Sequence, residues 1–287
     1  RANAHPRPDD VAAALDLSLQ NLRIEYVDLY LMHSKEIVSC VNAVSNISAP
    51  VAYHRIGSGK DEWKTLRYED NKPQIDMQQT QEYTSTWKAM EALVHDGKAK
   101  NIGMASNEHQ SIPSINCLGV SNFMIKKLKK LLSTATITPA VNQVEIHPYL
   151  LEDELIGFCS DKNIHVTAFS PLGGKPVAAV ALNANVPGPL FNETVISIAE
   201  RLQLTPAQVL LKWGLQRGTS VIPKAYTESH IADNFAAKDL PDLSAYDMAT
   251  INDIRKGQEN VRYINAKNHW GFDIYDPPRD DPTEAEA

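Results

Sequence analysis

The sequence predicts a parallel α/β fold, a (β/α)8 TIM-type barrel with about five of its eight strand–helix units present, on three observations. Segments with helical period alternate with short apolar runs, five times over and with short connections. No Gly-x-Gly-x-x-Gly turn follows any of these runs, which disfavours a doubly wound dinucleotide fold against a barrel. Polar or small residues gather where the runs end, the edge at which a barrel collects its chemistry: His33, Ser121-Asn122, Gln143 to His147, Ser170 to Gly173 and Pro223-Lys224.

Asp9 and Asp10 precede Val11, Leu15, Leu19 and Leu22, an apolar stripe at helical spacing with acids at its positive start. Tyr26 to Met32 is an aromatic and apolar run short enough for a buried strand. Trp87, Met90 and Leu93-Val94 form a helix face that Gly97 ends, and Ala99 to Gly103 reads as the next strand. Helices are expected at Ile125–Leu132, Glu152–Lys162, Glu193–Leu202, Pro206–Gln216 and Glu228–Ala236, with strands at Ala140–Ile146, His165–Phe169 and Ser220–Ile222. Trp87, Trp213 and Phe123 read as core. Ser121-Asn122 is also placed to cap the helix at Ile125, and His147-Pro148 reads as a strand-end turn.

With 43% hydrophobic and 22% charged residues the composition is that of an ordinary globular protein. The formal charge of −7 is concentrated in the last fifteen residues, where six acids face only Arg279. That leaves a nearly neutral body, without the basic face nucleic-acid binding needs. No apolar run approaches the roughly 18 residues of a membrane span. Cys40, Cys117 and Cys159 are too few and too scattered for a disulfide framework or a zinc site. A cytoplasmic location without a metal is the expectation.

The matched stretches resemble the aldo-keto reductases, NADP-dependent (β/α)8-barrel oxidoreductases. The resemblance rests on Leu15 to Leu19 with Tyr26 to His33, Thr86 to Leu93, Gly97 to Gly103, Val120 to Phe123, Asn142 to Leu150, Ala168 to Gly173, and Val221 to Ala225, in the family's order. It implies NADPH-dependent reduction of an aldehyde or ketone, with NADP(H) as cofactor and a small-molecule carbonyl or alcohol as substrate. It implies that His33 orients the substrate carbonyl, and that Ser121, Asn122 and Gln143 hold the nicotinamide carboxamide. Phe169 takes the place of a tyrosine that stacks on the ring. Ser170 and Leu172 match the pyrophosphate loop, Lys224 the cation beside the 2′-phosphate, and Asn234 the adenine contact. His230 replaces an arginine, losing a permanent charge and its bidentate geometry.

The resemblance also implies a tyrosine, a lysine and an aspartate on strand–helix units that precede the helix at Val11. The chain as written starts too late to contain them, so it is expected to be truncated and to reduce carbonyls poorly. A non-catalytic nucleotide-binding or interaction protein is the alternative, and an unstable gene-model fragment a third. Residues 1–272 are expected to form the partial barrel domain, with 273–287 as a disordered acidic tail. Two stretches, about 34–49 and 104–119, interrupt the pattern and are expected to be inserts. Asn107, Ser111, Pro113 and Ser114 make the second one unfit for a barrel strand. Codons for Gly103-Met104 and Leu118-Gly119 can carry splice signals, which suggests a translated intron. The sequence leaves the substrate and the oligomeric state open.

Overall fold

The structure, a computed structural model, describes Pro8, residues 11–25, 27–32, 52–53, Glu69, 75–76, 82–95, 117–174, 186–265 and Tyr275. Five strands form one parallel sheet in the order β1 (Leu29–Met32), β4 (Cys117–Ser121), β5 (Val141–Glu145), β6 (His165–Phe169) and β7 (Ser220–Ile222). A separate antiparallel pair joins β2 (Ala52–Tyr53) to β3 (Ile75–Asp76). The parallel sheet with connecting helices is the expected α/β architecture, and the described strands leave the barrel open between β1 and β7.

The helices are α1 (Val11–Leu22), α2 (Tyr83–His95), α3 (Ile125–Leu132), α4 (Asp153–Asp161), α5 (Glu193–Leu202), α6 (Pro206–Gln216), α7 (Glu228–Ala236) and α8 (Ala245–Asn252). Their starts follow side-chain chemistry. Thr205 and Gln208 close a reciprocal capping box ahead of Pro206, while Asn192, Thr227 and Ser244 each accept a backbone N–H of the helix they open. Helix α3 departs from expectation: its cap is Met124, which contributes no side-chain bond, and the Ser121 hydroxyl donates to the Gln143 backbone carbonyl instead.

The core lies between sheet and helices. Trp87, Phe123 and Trp213 are buried in it as expected. Their polar edges are met: Trp87 Nε1 donates to the Ile137 carbonyl at 3.1 Å and Trp213 Nε1 to Asn252 Oδ1 at 2.8 Å. Buried Glu91 uses one carboxylate oxygen to accept the N–H groups of Thr136 and Ile137, both at 2.8 Å, which ties α2 to the approach to β5.

One strand is displaced from its expected place. The stretch 99–103 lies outside the described residues, and the position between β1 and β5 is filled by Cys117–Ser121. The last three residues assigned to the insert 104–119 are therefore part of the sheet. Packing gives the reason. Leu118 and Val120 are buried on one face, and Gly119 sits where a Cβ would lie 2.5 Å from Leu31 Cδ2 and 2.9 Å from the Val141 carbonyl oxygen. The insert at 34–49 and most of the acidic tail lie outside the described residues. Within that tail Tyr275 donates its hydroxyl to the Ile264 carbonyl at 3.0 Å.

Helix α8 and the β2–β3 pair were not expected. The Ser244–Asp247 spacing was the available signal for α8. Asp247 is buried, accepts from the Ser244 hydroxyl at 2.7 Å and pairs with Arg201 of α5. Burial pushes its carboxyl up, but the Ser244 and Arg201 hydrogen bonds outweigh this and hold it below its ordinary value.

Two outcomes follow from this packing. Gly119→Ala is expected to cost about 1–3 kcal/mol of stability by overpacking against backbone, read by urea unfolding. Asp247→Asn is expected to lose about 1–3 kcal/mol at pH 7. Because the folded value is depressed, that stability is present above the ordinary pKa and lost as pH falls through the folded value. The gap between parent and variant should thus narrow as unfolding is repeated toward pH 3.

Candidate active site

Register places the candidate residues along one carboxyl edge. Ser121 pairs with Gln143 and Gln143 with Thr167, while Glu145 pairs with Phe169 and Phe169 with Ile222. Lys224 leaves that edge two residues past Ile222. Ser121, Asn122, Gln143, Phe169, Ser170 and Lys224 thus come from strands that are direct neighbours. His33, which would follow the last residue of β1, lies outside the described residues.

The Asn122 backbone is left-handed at φ 56°, and its N–H donates to the Gln143 carbonyl at 2.9 Å. The Ser121 hydroxyl donates to the same carbonyl at 2.9 Å, keeping its lone pairs to accept. These two bonds, in place of the expected helix cap, hold the end of β4 against β5. The Asn122 side chain is fully buried, yet neither Oδ1 nor Nδ2 has a hydrogen-bond partner among the described residues. An unmet buried polar group costs about 1–3 kcal/mol, and a fold bears such a cost where a site is built for something else. The unmet pair is one acceptor with one amide donor group, which another carboxamide would complement. That is an observation in favour of nicotinamide.

Phe169, 2% exposed, ends β6 between Glu145 and Ile222. Ser170 is left-handed at φ 49° and its carbonyl accepts the Gly173 N–H at 2.8 Å, closing a tight turn that contains Leu172. Gly173, at φ 68°, has no room for a Cβ: it would strike the Pro189 ring and lie 3.3 Å from Tyr263 Cε2. Pro171 carries no N–H and the Gly173 N–H is spent on the Ser170 carbonyl, so the backbone donors the turn can present to an anion are those of Ser170 and Leu172.

The remaining candidates are solvent-facing. Lys224 is exposed, with its ammonium 4.5 Å above the ring of Tyr226. His230 is exposed in the first turn of α7, its N–H accepted by Thr227 Oγ1 at 3.3 Å. Asn234, one turn later, shares that side of the helix and is half-buried.

Sequence reasoning gave no role to Glu145 or to the imidazole of His147, which the structure makes the most enclosed charged group of this edge. Both side chains are fully buried and Glu145 Oε1 lies 3.0 Å from His147 Nε2. His147 Nδ1 accepts the Tyr149 N–H at 3.3 Å, which leaves the ring hydrogen on Nε2 to be donated to Glu145. The carboxylate also accepts the N–H groups of Tyr263 at 2.6 Å and Ile264 at 3.0 Å. Burial alone would raise the Glu145 carboxyl, but His147, nearby Arg262 and the Tyr263 N–H outweigh it and hold it below the ordinary carboxylate value. The signal available in sequence was a Glu two residues before a His at a strand end. His147-Pro148 does form the expected turn, with paired backbone bonds between His147 and Leu150.

Among the described residues no group of three or more His, Cys, Asp or Glu is arranged to hold a metal, and no helix is long and apolar enough to cross a membrane. The buried thiol of Cys159 is pushed up to about 11 by burial, which leaves it unreactive.

The model of the aldo/keto reductase family matches residues 1–116 and 114–256. The glycerol 2-dehydrogenase (NADP(+)) of Hypocrea jecorina is 35% identical over 93% of this chain and 71% of its own length. Aldo-keto reductase family 1 member A1 of Bos taurus is 35% identical over 91% of the chain and 67% of its own length. Among solved structures, the aldose reductase of Schistosoma japonicum superimposes with a TM-score of 0.71 at 28% identity, covering 98% of this chain and 74% of its own. The aldose-reductase fold, the ordered edge residues and these relatives agree: the chain belongs to the aldo/keto reductase family.

Proposed function

We propose that the chain holds NADP(H) and serves the interconversion of a small-molecule aldehyde or ketone with its alcohol. The observation that carries this is the fully buried, unpartnered carboxamide of Asn122, left-handed at the end of β4 beside Ser121 and Gln143. Ser121, Asn122 and Gln143 hold the nicotinamide carboxamide, so that one ring face is presented to the substrate. Phe169 supplies the apolar wall, and the Ser170–Gly173 turn offers backbone N–H groups to the pyrophosphate. Lys224 and His230 meet the 2′-phosphate, and Asn234 the adenine. When bound, the nicotinamide supplies the hydride that reduces the carbonyl carbon.

His33 orients the substrate carbonyl and keeps its oxygen within reach of a proton. A nucleotide-binding protein without reductase activity is the second reading. An NADPH-oxidation assay with a reactive aldehyde separates the two.

Two binding outcomes test the site. Asn122→Gly relieves the left-handed strain and deletes the unmet amide, so the nucleotide-free protein should be no less stable in urea unfolding. NADPH binding, followed by fluorescence titration, should weaken by about tenfold or more. A variant that binds NADPH as well as the parent would remove the basis of the proposal. The second outcome concerns charge. Lys224 provides one exposed cationic contact worth about 1 kcal/mol, and an imidazole adds charge only when protonated. His230→Arg, which adds a permanent charge and a planar donor fork, should therefore raise the preference for NADPH over NADH, read from the two dissociation constants.

A further inference from the structure

The buried Glu145 carboxylate lies within the family's strand-end motif but outside the nucleotide contacts assigned above. It accepts two successive backbone N–H groups, those of Tyr263 and Ile264 at 2.6 and 3.0 Å, one on each oxygen. Two adjacent peptide donors bound to one rigid acceptor fix both the position and the direction of the segment they belong to. The grip is reinforced on either side. Val261 N–H donates to the Tyr149 carbonyl at 2.9 Å, and Arg262 pairs with Glu152 while stacking 3.8 Å from the Tyr275 ring centroid. His147 cannot turn away, because its Nδ1 is held by the Tyr149 N–H and its Nε2–H by Glu145.

What this grip places is the side chain of Tyr263, which is fully buried. Its hydroxyl donates to the Pro187 carbonyl at 3.0 Å, and its ring edge stands 3.3 Å from where a Gly173 Cβ would be. Pro189 Cδ lies 2.4 Å from the same point. Gly173 thus abuts both Tyr263 and Pro189, and its N–H donates to the Ser170 carbonyl at 2.8 Å. The Ser170–Gly173 turn cannot shift toward Tyr263 unless that ring gives way, and the ring is anchored through its own backbone to Glu145.

We propose that Glu145 is a positioning residue for the Ser170–Gly173 turn, acting through Tyr263, and that affinity for the pyrophosphate of a dinucleotide depends on it. The proposal rests on the nucleotide reading above. A glutamine of the same shape would turn one of the two acceptor oxygens into a donor facing backbone N–H groups, so Glu145→Gln loosens the grip without removing volume.

The experiment has two arms on the full chain, comparing the parent with Glu145→Gln and Tyr263→Leu. Hydrogen exchange of the peptide spanning residues 170–174 is read without ligand. Dissociation constants are measured for NADPH and for adenosine 2′-monophosphate, which lacks the pyrophosphate. Exchange should quicken in both variants. NADPH binding should weaken by about tenfold, since a small misplacement of positioned groups is costly, while the adenosine fragment, held by exposed residues of β7 and α7, should change less than twofold. Unchanged exchange at 170–174 in a cooperatively folded variant, or equal weakening of both ligands, overturns the proposal. A parent that binds neither ligand overturns the nucleotide reading and the affinity part with it, while the exchange arm still decides whether Glu145 holds the turn. Should Glu145→Gln fail to fold cooperatively, Tyr263→Leu alone decides both arms.

Discussion

The edge geometry depends on the register of β5. This central strand pairs with β4 on one side and with all five residues of β6 on the other, and its side chains alternate between two jobs. Asn142 and Val144 are buried. The Asn142 amide donates to the Phe123 carbonyl at 2.8 Å and its oxygen accepts the Phe123 N–H at 3.4 Å, which braces the chain leaving β4. On the other face lie the side chains of Gln143, whose backbone carbonyl accepts from Ser121 and Asn122, and of Glu145, which holds Tyr263 and Ile264. Slipping the register by one residue would exchange the two faces, so one alignment sets the end of β4 and the segment at Tyr263-Ile264 together.

The proposed nucleotide site is divided by environment. Its nicotinamide end is buried and made of neutral groups, Ser121, Asn122 and Gln143, where an unmatched amide is costly and geometry therefore discriminates strongly. Its adenosine end is exposed and relies on Lys224 and His230, where water and salt screen each contact. On the proposed reading the first end sets orientation and the second a modest preference among nucleotides. The Ser170–Gly173 turn comes between them along the chain, and there Gly173 meets Tyr263.

Sequence reasoning found most of this architecture because the elements obey local rules. Glu193–Leu202, Pro206–Gln216 and Glu228–Ala236 have the bounds their caps and apolar spacing demand, and Ile125–Leu132 has those of its apolar spacing. Seven of the nine cofactor-site candidates lie on the described carboxyl edge or the connection leaving it, and His230 and Asn234 on the helix that follows. Glu145 escaped because His147, its local donor, reads as a strand-end turn, and its backbone donors are over a hundred residues away, at Tyr263 and Ile264. The unmet amide of Asn122 is equally invisible locally, since Asn after Ser before a helix reads as a cap.

The displaced strand shows a different kind of ambiguity. The place between β1 and β5 requires an apolar side chain followed by a glycine, because the Cβ of any other residue would meet Leu31 and the Val141 carbonyl. Two segments offer that pair: Ile102-Gly103 at the start of the interrupting stretch and Leu118-Gly119 at its end. Reading along the chain, the first to arrive was assigned. What separates them is the residue two positions beyond the glycine. Ser121 follows Gly119 at the spacing that sets it opposite Gln143, whereas Ala105 follows Gly103 and has no hydroxyl to donate to the Gln143 backbone carbonyl. The site chemistry, rather than the apolar pattern, therefore selects which segment can complete this edge of the sheet.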